Sequence, residues 1–228
     1  LPVRERVDLD AFNRGDYSLA MKERNDIEAI TCILYPDDSL GAGRALRLKQ
    51  EYFFVAAGMA SIIRQYKAQY GLDAWREFPD HVSVHTNDTH PTLCIPELMR
   101  ILIDEEGLEW DDAWDITTRT MSFTNHTILP EAMEKWSIEL FRSLLPRIYM
   151  IVEEIDRRWR ESLLKAGGNG HDILCSTAVL WDNEVRMANL SIIGSHSVNG
   201  VAALHTEILK ESVFRDFYKL SPEKFNNK

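Results

Sequence analysis

The sequence predicts an α/β fold, a parallel sheet with helices on both faces. Three stretches carry that prediction, because each reads as a β-prone run, a polar loop and then a helix start. The central one passes from residues 120–123 into Thr124-Asn125-His126-Thr127 and on to Pro130, a residue suited to the first position of a helix. Another runs from residues 81–86 into Asn87-Asp88-Thr89-His90-Pro91. The third runs from residues 187–193 into Gly194-Ser195-His196-Ser197-Val198-Asn199-Gly200. Each loop holds an Asn and a His. In open parallel sheets, ligands bind outside the carboxyl ends of the strands. The three loops are therefore expected to converge on one crevice. Their neutral donors and acceptors suit a polyhydroxyl ligand better than a phosphate or a nucleic acid.

The remaining elements follow in chain order. Residues 8–16 are polar and contain Gly15, a loop. Residues 17–34 carry Leu19, Ala20, Ile27, Ile30, Ile33 and Leu34 near helical spacing, and Tyr35-Pro36 stops that helix. Residues 37–43 form an acidic, glycine-containing loop, read as a surface turn or a mobile lid. Residues 44–70 are the longest helical signal. Their apolar face is broad enough for a mostly buried helix, and Gly71 closes it. A short connection spans 75–80. Helices are expected at 95–105, with Pro96 and Glu97 in the first turn, at 108–118, and onward from Pro130. Residues 137–165 read as two helices that break near Leu145-Pro146. The second carries a solvated face of Glu153, Glu154, Asp156, Arg157 and Arg158. A loop is expected at 166–170, a short strand and turn at 173–183, and a helix at 201–210. The polar tail, 213–228, has Phe214, Phe217 and Tyr218 as anchors.

Composition narrows the function. A length of 228 residues suits one large domain or two small ones. A net charge of −10 argues against nucleic acid or an anionic membrane as partner. Cys32, Cys94 and Cys175 are odd in number and far apart, without a CxxC, so a reduced cytoplasmic protein is expected. No apolar run approaches the roughly 20 residues that span a bilayer. Residues 1–10 are charged and lack the apolar centre of a signal peptide. With Leu1 first and no natural domain end at 225–228, the chain is expected to be a piece of something longer.

The chemistry-bearing residues leave several readings open. His90, His126 and His196 invite a metal, but no HExxH places two ligands on one helix face and only Asp88 stands near. There is no GxSxG elbow, and no cysteine lies beside a loop histidine. Residues 194–200 lack the GxGxxG spacing of a dinucleotide site, although their glycines allow close backbone approach. A shared polar crevice is the reading that remains, and it does not specify a reaction.

Longer motifs say more. TNHTILPEAMEKW, NDTHPTLCIPELMRILID, YPDD…RALRLKQEYFFVAA and GSHSVNGVAALHTEILK closely resemble the glycogen, starch and maltodextrin phosphorylases. FNRGDY and DFYKLSPEKFNNK match too, in collinear order over nearly the whole chain. The resemblance implies the GT-B architecture of two Rossmann-like domains. It also implies phosphorolysis of α-1,4-glucan to glucose 1-phosphate with pyridoxal phosphate, in a cytoplasmic homodimer. By position, His126 matches the histidine that contacts the glucosyl unit, its main-chain carbonyl near the developing charge. Asn199, Gly200 and Val201 match a segment whose backbone touches the sugar. Asp38 and Ser39 fall in a gate loop, where mammalian members have Asp-Asn, so Ser39 departs from the pattern. Asp88, His90 and Glu131 match polar residues beside the sugar, and Asn125 stands with them in the central loop.

The resemblance also implies what lies elsewhere. The cofactor lysine and the phosphate-binding Arg and Lys belong to a second domain. Residues 1–228 then read as one incomplete N-terminal domain, mainly helical over 1–74, with three strand-loop-helix units over 75–228. The piece alone is expected to hold no cofactor and to be inactive. The competing classes are a non-catalytic sugar-binding or regulatory module and, more distantly, a metal-dependent hydrolase. In animal members the long helix carries an Arg-Arg pair that grips AMP; here the pair is Arg64-Gln65. Losing one guanidinium removes a charge-assisted contact of about 1.5–3 kcal/mol. The full-length parent is therefore expected not to respond to AMP, and strong AMP activation in a phosphorolysis assay would contradict this.

Overall fold

The structure, a computed structural model, describes residues 7–71, 73–165 and 170–227. The expected loop at 166–170 lies outside them except for Gly170, as do Lys228 and the first six residues of the N-terminal stretch. The chain divides into two compact units, Leu1–Phe54 and Val55–Lys228.

In the first unit, α1 (Leu9–Asn13) and α2 (Tyr17–Cys32) are each started by an aspartate. Asp8 accepts from the Ala11 amide at 2.9 Å and Asp16 from the Leu19 amide at 3.0 Å, the usual N-cap bond. Gly15 sits between the helices at φ +81°, a conformation that favours glycine. The long helix α3 (Gly41–Tyr70) begins three residues earlier than expected, taking in the second half of the expected loop. Gly43 explains the closeness of the turn before it, since a Cβ there would stand 1.7 Å from the Asp37 carbonyl oxygen. The expectation of a mostly buried α3 is corrected. Phe53 and Phe54 are exposed, and from Val55 onward the buried residues form a stripe of Val55, Met59, Ile63 and Tyr66. Gly71 ends the helix in the left-handed region, its amide bonded to the Lys67 carbonyl.

After α3 the second unit continues with a turn of 3₁₀ helix (Trp75–Glu77) and α4 (Phe78–His81), where a connection was expected. The first strand, β1 (Val84–Asn87), is shorter than the run that predicts it. Next come α5 (Cys94–Arg100), which widens into a π-turn over Ile101–Glu105, α6 (Trp110–Thr120) and β2 (Met121–Asn125). Beyond β2, Pro130 starts only one 3₁₀ turn, Pro130–Ala132, not a full helix. β3 (Lys135–Ser137) follows, with α7 (Ile138–Leu144) and α8 (Pro146–Lys165) breaking where the proline predicts. Residues 173–183 hold most of α9 (His171–Thr177) as well as the expected strand, β4 (Leu180–Trp181). β4 turns into β5 (Glu184–Arg186) through Asp182 and Asn183, both at positive φ, the signature of a two-residue hairpin turn.

The third expected strand is overturned. Residues 187–193 are helical, as α10 (Met187–Gly194), and the strand is β6 (Ser197–Gly200). Every residue of α10 is buried. A short helix with no polar face shows no period, so its apolar run reads equally as an inner strand. The chain then forms α11 (Ala203–Ile208), a second π-turn over Leu209–Val213, and α12 (Arg215–Leu220).

Three strands form a parallel sheet in the order β1-β2-β6, and β3, β5 and β4 form a small antiparallel one. The unit is thus a mostly helical α/β structure. α6 and α10 pack on β2, and α11 packs on β6. Packing is close where α10 ends: a Cβ on Gly194 would stand 2.7 Å from the Ile95 side chain. Cys94 lies in this core against Met121, and burial pushes its thiol up to about 12. Asp156, expected on a solvated face, is instead 4% exposed. Its carboxylate accepts from the amides of Val179 and Leu180 at 2.7 and 3.2 Å and pairs with Arg160 at 2.6 Å. Among the described residues no helix is long and apolar enough to cross a membrane.

Candidate functional site

The register decides what meets at the carboxyl ends of the strands. Asn87 stands opposite Thr124, Thr124 opposite Asn199, and Asn125 opposite Gly200. Side chains alternate along a strand, so Thr124 and Asn199 share one face and Asn125 and Gly200 the other.

On the first face a hydrogen-bonded row crosses all three strands. Thr124 Oγ1 donates to Asn199 Oδ1 at 2.9 Å, so it accepts from His85 Nε2 at 2.5 Å. Asn199, 8% exposed, passes the row on by donating to the Gly200 carbonyl at 2.8 Å. At the strand ends His126 Nε2 donates to Asn87 Oδ1 at 2.5 Å. His126 is exposed, and its bond to Asn87 ties the loop after β2 to the end of β1.

Asp88 sits at φ +62°, which aspartate tolerates better than most residues. Its amide donates to the Thr124 carbonyl at 2.8 Å, and its carboxylate accepts from the Thr89 amide at 2.9 Å and the Thr127 hydroxyl at 3.3 Å. Thr89 in turn donates to Glu134 at 2.5 Å. The loops after β1 and β2 are thus laced together.

The expected residues separate into groups. Asn87, Asp88, His126, Asn199 and Gly200 come together at one end of the sheet. Val201 follows directly and is exposed. His90 and Glu131 are exposed in the loops after β1 and β2. Asn125 is 0% exposed, and neither polar atom of its amide has a protein partner among the described residues. It therefore lies beneath the exposed residues at this end of the sheet rather than among them.

Asp38 and Ser39 belong to the first unit. There Asp38 pairs with Arg47 at 3.3 Å, and the Ser39 amide donates to Asp37 at 3.0 Å. His196 is the clear correction. It precedes β6, its amide donates to the carbonyl of Met121 at the start of β2, and its ring approaches the Thr118 carbonyl at 3.3 Å. It stands at the opposite end of the sheet from His90 and His126, so the three histidines do not form one ligand set. The misplacement follows directly from reading α10 as a strand. Among the described residues no three His, Cys, Asp or Glu side chains could hold a metal ion.

Sequence reading passed over His85, Thr124 and the pair His205-Thr206 as site residues. Alternation along the strands could have flagged His85 and Thr124. His205 lies four residues after Val201, within reach of a helix's first turn.

Together these residues place a hydrogen-bonded cluster of mostly neutral side chains at the carboxyl ends of the parallel sheet of an α/β protein. The chain belongs to the carbohydrate phosphorylase family, whose model matches residues 2–228. It is similar to alpha-glucan phosphorylase 2, cytosolic, of Arabidopsis thaliana, with 46% identity over 98% of this chain and 28% of that protein. The brain form of glycogen phosphorylase of Homo sapiens is 48% identical over 96% of this chain and 27% of its own length. The muscle form of Bos taurus gives the same figures. The chain spans just over a quarter of these relatives.

Proposed function

We propose that this chain is part of an α-glucan phosphorylase, contributing one wall of the site that holds the terminal glucosyl unit. The full-length parent would cleave terminal α-1,4-glucosyl units with phosphate, giving glucose 1-phosphate. Family membership supports the reaction class. The observation that carries the assignment to this wall is the row His85-Thr124-Asn199 beside the His126-Asn87 pair. Such fixed neutral donors and acceptors match sugar hydroxyls, which both donate and accept.

The described polar residues of the wall include no Arg or Lys, so a phosphate dianion would need cations from elsewhere in the parent. The same holds for pyridoxal phosphate, which needs a lysine amine to hold it. Lys224, whose amine burial pushes down to about 8, donates instead to the carbonyls of Ile192 and Ile193, where α10 ends before β6. These residues do not fit the cofactor, and we assign it to the remainder of the parent. A GT-B arrangement, with this chain in the N-terminal Rossmann-like domain of a cytoplasmic homodimer, is the architecture we propose. Release of glucose 1-phosphate from maltoheptaose and phosphate by the full-length, cofactor-loaded parent tests the assignment; no release would overturn it.

A wall alone binds weakly. Small-ligand sites bury roughly 70–90% of their ligand between facing surfaces. Sugar hydroxyls exchange water for protein at about 0.5–1.5 kcal/mol each, and micromolar affinity needs about −8.2 kcal/mol. The isolated chain is expected to bind maltoheptaose at millimolar affinity or not at all, and to release no glucose 1-phosphate. Micromolar binding in titration calorimetry would instead favour a self-sufficient sugar-binding module.

A further inference from the structure

The end of β6 is held from behind by the first turn of α11. The Gly200 amide donates to Thr206 Oγ1 at 3.0 Å, and the Val201 amide donates to His205 Nδ1 at 3.2 Å. The approach is close enough to require glycine. A Cβ on Gly200 would stand 2.8 Å from the Thr206 nitrogen and 2.9 Å from His205 Cγ. Because Nδ1 accepts, a neutral His205 carries its proton on Nε2. That Nε2 is buried with no protein partner among the described residues. Burial, and then the neighbouring His126, push the ring below the ordinary histidine range against the pull of Asp88, so the neutral form is favoured. His205 is thus bonded to one proposed sugar-contacting segment and lies within electrostatic reach of the other.

We infer that His205 is a positioning residue for the sugar wall: as the Nε2–H tautomer it fixes the Val201 amide, and with it the Gly200–Val201 backbone, beside His126. The inference rests on the phosphorylase reading above. With Nδ1 as an anchor, Val201 has one orientation. Without it, the amide is free to turn toward solvent, and the segment loses its fixed edge.

The test has two arms. In the full-length parent, His205→Phe keeps a ring but removes the acceptor, whereas His205→Asn keeps an oxygen near the Nδ1 position. The phenylalanine variant is expected to lower kcat/KM for maltoheptaose by about fivefold to tenfold, the size of one lost hydrogen bond. The asparagine variant is expected to recover most of that loss. Unchanged kinetics in His205→Phe, or no recovery in His205→Asn, overturns the inference. An inactive wild-type parent would defeat the phosphorylase reading instead. The second arm needs neither activity nor a substitution. Long-range ¹H–¹⁵N spectra of the 228-residue chain at neutral pH should show His205 neutral with its proton on Nε2. A proton on Nδ1 overturns the inference whatever the variants do.

Discussion

Replacing Asp156 by alanine is expected to lower the melting temperature of this chain by roughly 10 °C, from a loss of about 3–5 kcal/mol. Asp156 sits inside α8 with its carboxylate turned to the start of β4. It accepts from two main-chain amides, Val179 and Leu180, and pairs with Arg160. Arg160 also donates to the Leu180 carbonyl and lies over the Trp181 ring, 5.6 Å from its centre. Alanine would leave the Val179 amide buried without an acceptor and the guanidinium without its carboxylate. Each of those losses exceeds the value of an ordinary exposed contact. Asp156→Asn keeps an oxygen for the amides and should cost less than half as much. Thermal unfolding followed by circular dichroism checks both. A shift under about 2 °C for the alanine variant would mean that the bonds to β4 contribute little.

His126→Ala in the full-length parent is expected to slow phosphorolysis by about tenfold to a hundredfold, within or below the loss seen when a placed polar group is removed from a transition state. The main-chain carbonyl at position 126 survives this change, so only the side chain's share is removed. That side chain is exposed, and its described bond is to Asn87. Stability should therefore fall by no more than about 0.5–1.5 kcal/mol. The competing view makes His126 a loop-ordering residue. It predicts the reverse pattern, a large drop in melting temperature with near-normal rates in the protein that remains folded.

Much of this was legible in the sequence, and the failures have physical causes. The strands β1 and β2 and their loops could be read because β-prone runs meet Asn, His and Pro at their ends. The break at Leu145-Pro146 and the stop at Gly71 are dictated by backbone chemistry and appear where expected. α10 could not be read, since a helix buried on every side has lost the polar face that reveals its period. That one error moved a strand by about ten residues and carried His196 to the wrong end of the sheet. Asp156 sits in a run of charged residues, and only the fold shows that β4 supplies it with amides. His205 had no local signal of function. Its role depends on α11 folding back against β6, where Gly200 leaves room for it.

The most direct measurement is a crystal structure of the full-length parent with glucose bound. The sugar is expected to sit at the carboxyl ends of β1, β2 and β6, with polar contacts to His126 and to the segment from Asn199 to Val201. A sugar bound elsewhere in the parent's active cleft, with these loops free of contact, would contradict it.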